Sequence, residues 1–250
     1  MEIVLLTALG VGGATVIGAV IGFFFKSLSH KYSDIILSFA AGIMLCAAVL
    51  GLVAPSLEYE SVNPLLITVA GIFAGAAMLH LIDKLVPHLH RLTGANIETR
   101  GENKKIDKVL LFVLAIGIHN LPEGIAAGVG FGTGNNAEAI TIALGIALQN
   151  IPEGMVIIAP MLASGMSKKK TFCIAALTGA VEVVGTFLGY FAVNLSTTIL
   201  PFALAFAGGT MLYVISDEMI PETHHEGNSG VTYALLFGFC LMLAMDYLLA

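Results

Sequence analysis

The sequence is poor in charge. Only 11% of its 250 residues are Asp, Glu, Lys or Arg, against roughly 25% in an ordinary soluble domain. Seventeen acidic and 11 basic side chains cannot clothe a soluble body of this size, so composition excludes most soluble globular folds, disorder and nucleic-acid binding. The pI near 5.6 and net charge of −6 also argue against a basic surface built to hug anionic lipid. Cysteine is sparse as well. Cys46, Cys173 and Cys240 form no C-x-x-C and fall inside apolar runs, so they read as buried apolar filler, not disulfide partners or metal ligands. An H-E-x-x-H helix signature is missing too, which weakens any reading as a metallohydrolase.

Apolar residues are abundant: 57% are hydrophobic and the mean hydropathy is +0.93. A spanning helix needs about 20 mostly apolar residues. Eight stretches qualify: 3–25, 34–55, 64–86, 107–131, 137–164, 170–194, 198–220 and 230–249. They are too long for the roughly 10-residue alternating strands of a membrane barrel. The first carries Glu2 and no basic n-region, so it reads as a mature helix and not as a signal peptide. The 28 glycines suit close helix–helix approach in lipid. The expected fold is a single all-α polytopic membrane domain over 1–250 with eight transmembrane helices.

The basic residues fix the expected orientation. Lys26 and Lys31 follow the first span. Lys84, Arg91, Arg100, Lys104, Lys105 and Lys108 lie around the loop between spans three and four, and Lys168, Lys169 and Lys170 lie between spans five and six. The loops after spans two, four and six have none. The positive-inside rule makes the basic loops cytoplasmic and places both termini outside. That topology gives the outer face Glu2, Glu58, Glu60, Glu138 and Asp246 with no Lys or Arg, a one-signed mouth that concentrates cations. On the inner side Asp217, Glu218, Glu222, His224, His225 and Glu226 crowd into ten residues and form a candidate exit. His88 and His90 in the long cytosolic loop, His30 and His80 read as loop or structural residues, and Met44 as a packing residue.

Three glutamates lie near the centres of spans: Glu123, Glu153 and Glu182. A charge at that depth costs at least ~2.5 kcal/mol, and no span holds a Lys or Arg at its centre to offset it. Such carboxylates are either protonated or share a cation. Span four contains His119-Asn120-Leu121-Pro122-Glu123-Gly124, and span five contains Gln149-Asn150-Ile151-Pro152-Glu153-Gly154. Residues at i and i+4 share a helix face, which sets His119 one turn from Glu123 and Gln149 one turn from Glu153. Each proline frees the carbonyl four residues back, of Ile118 and of Leu148, and is expected to bend its helix. Interrupted helices at the midplane point to a transport site. Imidazole, carboxamide and carboxylate without thiolate suit Zn²⁺, Fe²⁺, Mn²⁺, Co²⁺ or Cd²⁺, and the carboxylates can bridge two ions. Three functions follow: metal uptake, an intramembrane metallohydrolase using the same centre, or a proton-coupled carrier of small organic solutes.

Paired N-x-P-E-G motifs in adjacent spans, within eight spans and with both ends outside, resemble the ZIP (Zrt-, Irt-like protein) family of divalent metal transporters. The resemblance implies a 3+2+3 helix arrangement, spans one to three and six to eight forming related inverted bundles around the metal-bearing pair. It implies a binuclear midplane centre. One ion is held by His119, Glu123, Gln149 and Glu153. The second is held by Asn120, Glu123, Asn150, Glu153 and Glu182, with Glu123 and Glu153 bridging. Many members carry His where this chain has Gln149, so the chain resembles a bacterial subgroup with a single imidazole at the first site. The resemblance further implies import of zinc or another divalent transition metal, with two ions as cargo, by alternating access across the inner (plasma) membrane. The expected partners are the metal ions, the bilayer and a second copy of the chain as a homodimer.

Overall fold

The computed structural model describes residues 1–25, 30–59, 62–85, 117–195, 197–224 and 229–249. Among these there are eight helices and no strands. They are α1 (Glu2–Gly22), α2 (His30–Glu58), α3 (Pro64–Leu85), α4 (117–130), α5 (Asn136–Ala163), α6 (Lys168–Leu195), α7 (Leu200–Thr223) and α8 (Ser229–Leu249). All except α4 are long and apolar enough to cross a membrane by their described length and composition. The remainder of the expected fourth span, 107–116, lies outside the described residues. Helices close their backbone hydrogen bonds internally, which is what hydrocarbon demands.

Apolar side chains fill the core and also cover the outside. Large apolar side chains such as Leu6, Phe73, Leu177 and Phe237 point outward, while Thr15, Asn120, Glu123, Gln149, Asn150 and Glu182 are buried inside. The inward cysteine is Cys46 alone. Cys173 and Cys240 are exposed, so the expectation that all three are buried filler is corrected. In a span that is apolar all round, a small thiol is tolerated equally well on the lipid face.

Helix packing divides into two quartets. In one, α1 packs along α5 and α6, and α4 along α6; in the other, α2 pairs with α8 and α3 with α7. Within each quartet glycines set the approach. A Cβ at Gly18 would strike the Ile151 carbonyl oxygen, and one at Gly185 the Leu121 oxygen. Cβ atoms at Gly42 and Gly238 would strike the Leu235 and Phe39 oxygens, and one at Gly75 the Phe206 oxygen. Helices this close gain dispersion contacts along their backbones. Across the seam between quartets the neighbours are side chains instead: Gly145 faces the Met242 thioether and Gly51 faces Ile142.

The packing repeats when α1, α2 and α3 are exchanged for α6, α7 and α8, and α4 for α5. The α2–α8 pair maps onto α7–α3, and α1–α5 onto α6–α4. Even the local irregularities correspond. Both α2 and α7 widen into a π-helical segment, Ala47–Val53 and Ile215–Met219, one residue before Ala54-Pro55 and Ile220-Pro221. Each proline lacks the N–H that would close the ladder and its ring crowds the carbonyl four back, which a wider turn accommodates.

Helix α4 runs unbroken through Pro122 and α5 through Pro152, and the interruption in α5 falls at Ile157. Loss of one ladder bond is tolerated where the freed carbonyl is packed among polar helices. The α4–α5 connection is a short turn with Gly134 at φ 77°, followed by Asn135, whose side chain caps α5 by accepting from the Ala137 N–H at 3.0 Å. This keeps the two motif-bearing helices adjacent.

Candidate metal centre

Four helices meet at a polar layer inside the first quartet. From α4 come His119, Asn120 and Glu123. From α5 come Gln149, Asn150 and Glu153, from α6 Glu182, and from α1 Thr15. Asn120, Glu123, Gln149, Asn150 and Glu182 are each no more than 1% exposed, and Glu153 is half-buried.

The layer is cross-linked by short hydrogen bonds. Glu182 receives three donors: Thr15 Oγ1 and Asn120 Nδ2 each at 2.5 Å on Oε1, and Asn150 Nδ2 at 2.5 Å on Oε2. Asn150 Nδ2 also reaches the Val11 carbonyl at 3.3 Å. Gln149 Nε2 donates to Glu123 Oε1 at 2.9 Å. Carboxamide N–H groups thus meet the carboxylates directly.

The same bonds leave a residue of acceptors. Asn120 Oδ1, Asn150 Oδ1, Gln149 Oε1 and Glu123 Oε2 are buried with no hydrogen-bond partner among the described residues. All four are oxygens. An unsatisfied buried acceptor costs about 1–3 kcal/mol, so four in one layer are an unusual concentration of unmet lone pairs. A cation would satisfy them; an added donor-free side chain would not. No group of three or more His, Cys, Asp or Glu among the described residues is close enough to hold an ion on its own.

The predicted exit set divides. Glu218, on the π-helical segment of α7, leaves the others and places Oε1 2.9 Å from His119 Nε2. His224 closes the end of α7, its Nδ1 3.0 Å from Thr223 Oγ1 and 3.1 Å from the Ile220 carbonyl. Asp217 and Glu222 lie on the same stretch, while His225 and Glu226 fall outside the described residues. Of the outer-mouth residues, Glu58 ends α2, Asp246 lies in the last turns of α8, and Glu138 sits in the first turn of α5, accepting from Asn135 Nδ2 at 2.8 Å. Glu138 and Glu58 act electrostatically on Tyr59, whose phenol is pushed up first by burial and then by these two carboxylates. Glu60, His88 and His90 fall outside the described residues. Met44 is fully buried in the apolar core and His80 bonds Tyr213 through Nδ1 at 3.0 Å.

Thr15 in the layer and Glu218 beside it escape the motif-based reading. Glu218 shares no helix with His119, so only the fold brings them together. Thr15 had a signal that was legible but faint: Gly12-x-x-Thr15-x-x-Gly18-x-x-x-Gly22 in α1 matches Gly179-x-x-Glu182-x-x-Gly185-x-x-x-Gly189 in α6.

Comparison with known proteins now decides the family. The ZIP zinc transporter family model matches residues 88–246. The chain belongs to the ZIP family. It is 45% identical to the zinc transporter GufA of Myxococcus xanthus over 163 residues, 65% of this chain and 63% of GufA. It is 33% identical to the zinc transporter ZIPB of Bordetella bronchiseptica over 240 residues, 93% of this chain and 77% of that protein. It is 36% identical to the zinc transporter ZupT of Chlorobaculum parvum over 252 residues, 95% of this chain and 94% of ZupT. The match therefore spans less than two thirds of GufA but nearly all of ZupT. In this ZIP chain the family-matched region contains both motif helices, α6 and α7, whereas Thr15 and α1 lie before it.

Proposed function

We propose that this ZIP protein carries divalent transition-metal cations, zinc foremost, across the inner (plasma) membrane into the cytoplasm. The observation that carries the reading is the set of four unpartnered buried oxygens, Asn120 Oδ1, Asn150 Oδ1, Gln149 Oε1 and Glu123 Oε2. They border two hydrogen-bonded carboxylates and the His119 imidazole, a donor set that suits borderline divalent ions. The cargo is two ions. One binds to His119, Glu123, Gln149 and Glu153, the other to Asn120, Glu123, Asn150, Glu153 and Glu182. Ions arrive past the acidic outer residues, and Glu218 beside His119 offers the next carboxylate toward the cytoplasm. The centre is exposed alternately to the two sides. Sorting of all 11 basic residues into alternate loops supports both termini being outside.

The test is flux and metal content together. Purified protein in proteoliposomes should take up ⁶⁵Zn²⁺ or Cd²⁺ and retain metal on elemental analysis. Glu123→Ala should lose both. Normal uptake by that variant would remove the centre from the transport path.

A further inference from the structure

We infer that Thr15 is a positioning residue of the metal centre: its hydroxyl fixes the Glu182 carboxylate, which in turn aims both asparagine carbonyls at the cargo. This rests on the reading that the centre binds metal. Two independent observations support it.

The first is a chain of hydrogen bonds. Thr15 Oγ1 donates to Glu182 Oε1, the same oxygen that accepts from Asn120, while Oε2 accepts from Asn150. Both asparagines turn their NH₂ groups toward Glu182, and with cargo bound its ionised carboxylate can only accept, which holds them in that orientation. That rotation leaves Asn120 Oδ1 and Asn150 Oδ1 pointing elsewhere, buried and unpartnered. Glu182 therefore selects the amide orientation, and Thr15 selects the orientation of Glu182. Groups that orient ligands in this way tune affinity without touching the ion. Thr15 is buried.

The second is internal symmetry. Thr15 and Glu182 are separated by 167 residues. Gly12 and Gly179, Gly18 and Gly185, and Gly22 and Gly189 keep the same separation. The contacts follow it: Gly154 of α5 abuts the Thr15 carbonyl as Gly124 of α4 abuts the Glu182 carbonyl, and Gly12 and Gly179 abut each other. Gly18 meets Ile151 as Gly185 meets Leu121, and Gly22 meets Met155 as Gly189 meets Ile125. Thr15 thus occupies the α1 copy of the position that α6 fills with an acid. One copy is the carboxylate and the other is its donor, so the pair works across the pseudo-twofold axis as one unit.

The experiment compares Thr15→Val, Thr15→Ser and Glu123→Ala, measuring Zn²⁺ uptake kinetics in proteoliposomes and Zn²⁺ affinity by calorimetry on purified protein. Thr15→Val keeps the shape and removes the donor. Its KM and Kd should rise about tenfold, the scale of one hydrogen bond to a charged group, with the maximal rate retained. Thr15→Ser should return both to wild-type values, which a purely steric role does not predict. If Thr15→Val does not reach the membrane, Thr15→Ala is read in the same way. An unchanged KM and Kd in the hydroxyl-free variant, or no recovery with Ser, overturns the inference. Loss of binding in Glu123→Ala alongside either result leaves the centre standing and removes only Thr15. Retained binding in Glu123→Ala overturns the centre and this inference with it.

Discussion

Gln149 donates a side-chain N–H to Glu123 Oε1 across 2.9 Å, tying α5 to α4 at the middle of the bundle. Its own Oε1 remains without a partner. One side chain thus acts as donor to a carboxylate and as a waiting acceptor. Imidazole can do both tasks through its two nitrogens and is a stronger zinc ligand than a carboxamide. Gln149→His should therefore lower the Zn²⁺ Kd about tenfold, ~1.4 kcal/mol. Calorimetry on the purified variant checks this; an unchanged or weaker Kd would show that Gln149 serves only as a donor.

The approach of Glu218 to His119 places a carboxylate from α7 directly beside the layer. If Glu218 receives the ion as it leaves, its neutral isostere should slow transport without weakening the centre. Glu218→Gln is expected to reduce uptake about tenfold, ~1.4 kcal/mol on the transport barrier, while Zn²⁺ affinity is kept. Stopped-flow uptake with a metal-sensitive dye inside vesicles reads the rate. A parallel loss of affinity would instead make Glu218 part of the binding set.

At the end of the bundle that carries Glu58 and Glu138, Tyr59 reports on the carboxylates around it. Its phenol lies above the ordinary range because of burial first, Glu138 second and Glu58 third. Removing the Glu138 charge takes away a cost of forming the phenolate, so Glu138→Gln should shift the titration of Tyr59 downward. Burial still holds it above a free tyrosine. Difference absorbance against Tyr59→Phe isolates this phenol from the other five tyrosines. An unmoved titration would separate Glu138 from this mouth.

Glycine contacts predict where bulk is forbidden. A Cβ at Gly18 collides with the Ile151 carbonyl, whereas one at Gly10, two turns earlier in the same helix, meets nothing within 4 Å. Gly18→Leu should destabilise the protein by about 1–3 kcal/mol through overpacking, and Gly10→Leu should have little effect. Thermal unfolding in detergent compares the two. Equal midpoints would mean that α1 and α5 can separate at little cost.

Much of this organisation was legible in the chain. Apolar runs of about 20 residues leave few alternatives to spanning helices, and the described helix ends fall within a few residues of most expected bounds. The repeated N-x-P-E-G motifs identified the residues that the fold gathers around Glu123, because polar groups at bilayer depth carry their own signal. What escaped depends on tertiary contact. The facing of Cys173 and Cys240 cannot be read from a span that is apolar on every side. The π-helical segments before Pro55 and Pro221 are one of several ways to absorb a missing N–H. Glu218 looked like a member of a surface cluster until α7 was packed beside α4. Thr15 is a single hydroxyl, and its role appears only when α1 is laid over α6.

The 167-residue separation between Thr15 and Glu182 also has a consequence for biogenesis. At ~5–20 residues per second, synthesis places α1 in the bilayer roughly ten to thirty seconds before α6 follows. Until α6 arrives the Thr15 hydroxyl lacks its Glu182 partner. A helical threonine can turn back on the carbonyl four residues earlier, here that of Val11, which Asn150 claims in the finished fold. The first helix can thus wait in lipid with its polar group satisfied, and arrival of α5 and α6 exchanges that provisional bond for the permanent ones.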